Sequence, residues 1–306
     1  MRRIKLTVAY DGTDYCGWQI QPNGITIEEV LNRKLTALTG EEIRVIGASR
    51  TDSGVHALGN VAVFDTHSTI PPERMALALN QKLPDDIVIV QSEEVPLTWH
   101  PRYQEQITKT YEYHIYNART ANPLKKRTST YVYFPLDVEK MRAGASYLVG
   151  KHDFASFCCI RTSAEDTVRR IDSLEIEEHP CAEGAFSYST KEAKEIVIRV
   201  TGNGFLYNMV RIIAGTLIRV GRGFYPPEKV GEILEAKVRT EAGAASGACA
   251  AGDPVLAPRA LPGAGRKGRL MCAPFFARDQ IEARSVLPII RFRISMSVWR
   301  MPSRPM

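Results

Sequence analysis

The chain has 306 residues and a formal charge of +6, with 44% hydrophobic and 24% charged side chains, enough to bury a sizeable core in one or two domains. No run approaches the roughly 18 uninterrupted apolar residues of a membrane span. Six cysteines include no C-x-x-C pair and no Cys/His zinc spacing, which argues against a metal centre and for free thiols in a reducing cytoplasm.

The charge is unevenly placed. After residue 242 ten Lys or Arg face three acids, so residues 1–242 hold 30 basic and 31 acidic side chains, a net of −1. A nucleic-acid surface in the body must therefore come from local clusters, not from the total.

Taken in order, residues 4–10 alternate apolar and polar and predict a half-buried strand; starting this early, the alternation is that of a strand and not of a signal peptide. Thr26 followed by Glu29 is a capping-box pattern, and Ile27, Val30, Leu31, Leu35 and Leu38 form one stripe of a helix that Gly40 ends. Strands are expected at 43–46 and 60–65, a second helix from Pro71-Pro72-Glu73 to Leu79, and a strand at 87–90. That order is the split βαβ arrangement of ferredoxin-like domains. It recurs more loosely: strands at 110–116 and 131–134, a helix at 137–149, strands at 168–176, 186–189 and 195–200, a long helix at 205–220 and a short one opened by Pro226-Pro227-Glu228. We expect an α+β chain with an N-terminal domain over 1–105 and a second over 106–242. Residues 243–306 differ. The part over 244–268 is rich in Ala, Gly and Pro without period, and Pro288 interrupts the apolar run 286–290. This tail carries a net +7 and is expected to lie outside the fold, leaving the second sheet without its last strand.

Three stretches carry chemistry. Residues 47–56 read GASRTDSGVH, between two predicted strands. Gly47 and Gly54 permit a tight path or close approach, and Arg50 is near enough in sequence to hold the Asp52 carboxylate ionised. Asp52 is then a nucleophile, a general base, a metal ligand or a loop cap; on spacing alone the turn-forming role is the commonest. Residues 109–113 read KTYEY, with Tyr111 and Tyr113 on one face of a strand, where tyrosines commonly just cover a sheet. Residues 205–215 read FLYNMVRIIAG, and at about 100° per residue Arg211 lies about 140° from the apolar stripe, the place of a solvated arginine.

The run SRTDSGVH, Ser49 to His56, resembles the G-R-T-D-A-G-V-H motif of the TruA-type tRNA pseudouridine synthase family. KTYEY resembles that family's [KR]-x-Y-x-Y strand, and FLYNMVRIIAG its F-x-x-x-M-V-R-x-[IL]-x-G helix. WHPRY at 99–103, YCGWQ at 15–19 and GKHDFASF at 150–157 resemble three further segments, the last taken as structural. The resemblance runs in order over residues 4–242. It departs at Ser49, where the family usually has Gly, and in lacking the closing segment G-L-x-L-x-x-V-x-Y.

The resemblance implies two ferredoxin-like domains whose antiparallel sheets form a central RNA-binding cleft. It implies isomerisation of uridine to pseudouridine in the tRNA anticodon stem-loop, positions 38–40 in tRNA numbering, by a homodimer using neither cofactor nor metal. Asp52 would attack covalently, at ribose C1′ or at uracil C6, with Arg211 paired to it and Tyr111 stacked on the base. The nucleotide must be flipped out, and Arg50 and His56 would fill the gap or grip the backbone while Arg102 touches RNA. Two other classes compete. A catalytically inactive RNA-binding protein of the same fold would keep the arginines without needing Asp52 and Tyr111 together. An Asp-dependent hydrolase would need a second carboxylate or a metal cluster, and Glu41 and Glu42 lie at the far end of a strand.

Overall fold

A computed structural model of the chain describes residues 1–103, 108–159, 166–181, 193–238 and 275–280. Local sequence accounts for most of the elements. Helix α1 (Ile27–Thr39) begins where the Thr26 hydroxyl accepts from Glu29 N at 3.3 Å and ends at Gly40, φ 76°. Its Ile27, Val30, Leu31 and Leu35 are buried. Strand β1 (Arg2–Tyr10) buries Ile4, Leu6, Val8 and Tyr10 on one face. The predicted strand at 43–46 shrinks to β2 (Ile46–Gly47), whereas β3 (Val55–Thr66) begins earlier than the pattern suggests. Helix α2 (Pro72–Asn80) and β4 (Ile87–Val95) complete the first half.

The second half runs β5 (Thr108–Asn117), β6 (Thr130–Val132), α3 (Val138–Ala145), β7 (Gly150–Asp153), β8 (Val168–Pro180), β9 (Lys194–Gly202), α4 (Met209–Gly221) and α5 (Lys229–Ala236). Helix α4 starts four residues later than its sequence pattern because Asn208, at φ 60°, turns the chain into it. A last strand, β10 (Phe275–Gln280), follows. The strand expected at 186–189 and the apolar run 286–290 lie outside the described residues.

All ten strands join one sheet, ordered β4-β1-β3-β10-β5-β9-β8-β7, with β2 on β3 and β6 on β5. Neighbours are antiparallel except β10 beside β3 and β6 beside β5. The stretch expected to lie outside the fold therefore supplies one central strand: β10 fills the gap between the halves, Phe275 opposite Val55 on one side and Tyr113 on the other.

The same face of the sheet carries two hydrophobic cores. One packs α1 and α2 on the first half and centres on Leu6, Leu31, Leu35, Phe64 and Met75; the other packs α3, α4 and α5 on the second and centres on Tyr113, Phe154, Phe157, Ile198 and Ile213. Tyr111 touches both. On the opposite face charged side chains pair across strands, as in Arg3–Asp65 at 2.7 Å and Arg199–Glu112 at 2.9 Å. Among the described residues no helix is long and apolar enough to cross a membrane.

Candidate active site

The loop between β2 and β3 is held at nearly every residue. Gly47 lies flat against Trp18, where a Cβ would stand 2.4 Å from the indole, so no larger residue fits. Arg102 Nε donates to Gly47 O at 2.7 Å and Lys109 Nζ to Ala48 O at 2.9 Å. Ser49 N donates to the Asn60 amide oxygen at 3.3 Å, and the Asn60 amide nitrogen donates back to Ser49 O at 3.1 Å. The hydroxyls of Thr51 and Tyr10 share a hydrogen bond of 2.7 Å, and Trp18 N donates to Thr51 O at 3.0 Å. Beyond Asp52, Gly54 takes φ 75° and, with the Ser53 hydroxyl, donates to Tyr15 O. So constrained, the loop turns out three side chains: Arg50 and Ser53 exposed, Asp52 half-buried. A preorganised carboxylate of this kind needs little rearrangement to react.

Arg211 reaches this loop from the second half. It is 4% exposed, not solvated as its position off the apolar stripe suggests, and its Nη2 donates to Ser53 O at 3.3 Å. Burial pushes the Asp52 carboxyl above its usual range, while the Arg211 charge pulls it down. Sequence spacing pointed to Arg50 as the group holding Asp52 ionised; the structure gives that place to Arg211, and desolvation outweighs it.

Tyr111 and Tyr113 differ in burial. Tyr111 is half-buried, its ring edge-on to Phe205 with centroids 5.0 Å apart. Tyr113 is fully buried, and its hydroxyl accepts from Thr130 at 2.9 Å.

His56 corrects an expectation. A side chain that fills a gap in RNA or grips its backbone must be open to solvent, and His56 is 4% exposed. Its Nδ1 lies 3.0 Å from the Asp11 carboxylate and its Nε2 2.8 Å from Arg127 O. Burial lowers its pKa, with Asp11 opposing. His56 is thus a strut between the start of β3 and the segment before β6. Arg102 is half-buried, with its Nε committed to Gly47 O, and lies near enough to Arg50 for the two charges to repel. The sequence reading missed Asn60, Tyr10, Lys109 and Trp18 as supports of the loop. Asn60 had a signal, a polar residue amid the apolar run of β3, and Trp18 and Lys109 lay in the family-like YCGWQ and KTYEY segments; Tyr10 had none.

These features meet a family pattern. The family model described as tRNA pseudouridine synthase matches residues 6–104 and 145–254. A tRNA pseudouridine synthase A of Brevibacillus brevis is 45% identical over 243 residues, 79% of this chain and 94% of that one. The chain belongs to the tRNA pseudouridine synthase family. Membership makes it an isomerase that turns uridine in tRNA into pseudouridine. Relatives of the same name from Ruminiclostridium cellulolyticum (46% over 243 residues, 79% and 94% of the two chains) and Pelobacter propionicus (43% over 249, 81% and 96%) agree. Among solved structures, the chain overlaps one chain of an archaeal box H/ACA sRNP Nop10-Cbf5 complex with a TM-score of 0.31 at 9% identity, over 78% of this chain and 58% of that one, a likeness too slight to carry weight. The family match ends at residue 254, so β10 lies outside it.

Proposed function

We propose that this tRNA pseudouridine synthase acts on uridines of the anticodon stem-loop, positions 38–40, with Asp52 as nucleophile. The observation that carries the reading is the Asp52 loop itself: a carboxylate on a backbone fixed from Gly47 to Gly54, with the buried Arg211 beside it and Tyr111 on the same face of the sheet.

In the reaction the uracil N1–C1′ bond breaks, the freed base turns, and C5–C1′ forms. The C5 proton leaves and N1 gains one, so the change is an isomerisation with no redox partner. Asp52 attacks at C1′ or C6 and is expelled again as the new bond settles. Arg211 opposes the desolvation of the carboxylate and fixes the backbone after it. Tyr111 supplies a ring face to the uracil and a hydroxyl for the C5 proton. The target is shielded in a stem, so the nucleotide is drawn out. Arg50, exposed at the loop, fills the space or meets the phosphates, and Arg102 adds charge behind it. His56 serves by holding Asp11 and the Arg127 segment.

The architecture supports two related units, one over 1–105 and one over 106–242 completed by β10 from beyond residue 242. Both halves read 4-1-3-2 in strand order, β4-β1-β3-β2 and β10-β5-β9-β8, as ferredoxin-like units do. The cleft for RNA then lies on the helix-bearing face, where Tyr111 touches both cores. We take the working form to be a cytoplasmic homodimer. Primer-extension mapping of pseudouridine in tRNA from cells lacking the endogenous activity, with and without this chain, tests the reading. Modification at 38–40 supports it; modification confined to another stem overturns the choice of site.

A further inference from the structure

We propose that Tyr207 is a nucleotide-contacting residue of this active site, its ring stacking on the base next to the uridine that is drawn out. The inference rests on the tRNA pseudouridine synthase reading and adds a residue to it.

The segment from Phe205 to Arg211 is fixed at both ends, on Tyr111 at one and on the Asp52 loop at the other. Phe205 meets Tyr111 edge-on, ring planes at 80°, and Arg211 donates to Ser53 O at 3.3 Å. Tyr207 stands between these contacts with its backbone held: Cys159 N donates to Tyr207 O at 3.2 Å, and Met209 N to Leu206 O at 3.0 Å. Asn208 follows at φ 60°, a left-handed conformation that Asn takes more readily than most residues, and turns the chain into α4. Despite this anchoring, Tyr207 is 48% exposed, whereas its neighbours Leu206 and Met209 are buried. Burial and then the Asp52 carboxylate push its phenol up, while a hydrogen bond with Asn208 and the Arg211 charge oppose.

A ring held at its backbone yet about half exposed stands out beside the buried Leu206 and Met209. Core packing does not need it, and Tyr111, whose ring is given to the target uracil, does not serve a second base. An enzyme that extracts one nucleotide leaves the neighbouring base with an unstacked π-face. Aromatic side chains take such faces in single-stranded RNA whatever the base.

The test uses the full chain as Tyr207→Leu and Tyr207→Phe, with a stem-loop RNA carrying 2-aminopurine beside the target uridine. Wild type and Tyr207→Phe should quench the 2-aminopurine emission and share a KM within about twofold. Tyr207→Leu should lose the quench and raise KM by about tenfold with kcat changed less than about threefold. Should Tyr207→Leu lower the melting temperature, Tyr207→His keeps a ring and should restore the quench. A Tyr207→Leu chain that quenches and binds like wild type overturns the inference, as does a Tyr207→Phe chain as impaired as Tyr207→Leu, which would give the work to the hydroxyl. The parent reading is judged on wild type alone: a wild-type chain that neither binds nor isomerises the RNA overturns both.

Discussion

Arg211 donates to the carbonyl of Ser53, the residue after Asp52, at 3.3 Å, across 158 positions of sequence. That bond carries a buried cation from the second half to the Asp52 loop of the first. The same guanidinium is the charge that opposes the desolvation of Asp52.

Replacing Arg211 should therefore change a titration as well as a rate. A nucleophilic carboxylate works only when ionised, so activity falls as pH drops through its pKa, already raised by burial. In Arg211→Met that opposition is gone and the acid limb should move to higher pH, with isomerisation at neutral pH down by about a hundredfold or more. A pH–rate profile checks this; an acid limb that stays in place while the rate falls would leave Arg211 only a structural part.

Asp52 should also limit stability. Its folded pKa lies above the unfolded value, so the folded chain holds more protons between the two. Stability then falls as pH rises through that window, and the penalty persists at neutral pH. Asp52→Asn removes the charge. It should melt higher than wild type at pH 7, with the advantage gone below the ordinary Asp value of about 3.9. Paired thermal melts at the two pH values decide it.

The two tyrosines of β5 should separate cleanly. Tyr113→Phe leaves the Thr130 hydroxyl without its acceptor at a part-buried site, which costs about 1 kcal/mol in urea unfolding with isomerisation unchanged. Tyr111→Phe should unfold like wild type and isomerise far more slowly. If Tyr113→Phe is the variant that loses activity, the roles are reversed.

On the opposite face His114, Arg199 and burial act on Glu112, and the hydrogen bonds win, holding it down to about 2. Because the folded pKa is depressed, this stabilisation is present above the ordinary Glu range and is lost as pH falls toward about 2. Glu112 is partly exposed, so screening reduces the effect. Glu112→Gln should cost about 1 kcal/mol at pH 7 and almost nothing at pH 2, measured by denaturant unfolding at both.

What the sequence made legible was local. Thr26, Glu29 and Gly40 mark α1 because a helix end is settled by its own few residues. Strand β1 shows its alternation because one face is buried and the other is not. Partners set by the fold were hidden. His56 looks like an open loop residue until Asp11 and Arg127, 45 and 71 positions away, close over it. Arg211 sits off the apolar stripe of α4, yet the helix is buried nearly all round, since the Asp52 loop meets it on the side away from its own core. Strand β10 has no period-2 pattern in FFARDQ, and its place is decided by the open edges of β3 and β5 on either side. The chemistry of Asp52 came from resemblance, because a lone Asp between two glycines has no signature of its own.

The most direct test of the account is tritium release from uracil C5 in labelled tRNA, run on wild type and Asp52→Asn with a gel shift in parallel. Wild type should release tritium in proportion to pseudouridine formed. Asp52→Asn should release none while binding tRNA within about threefold of wild type, since the amide keeps the shape and removes the nucleophile. Asp52→Asn turning over near the wild-type rate would contradict the assignment of Asp52 as the attacking group.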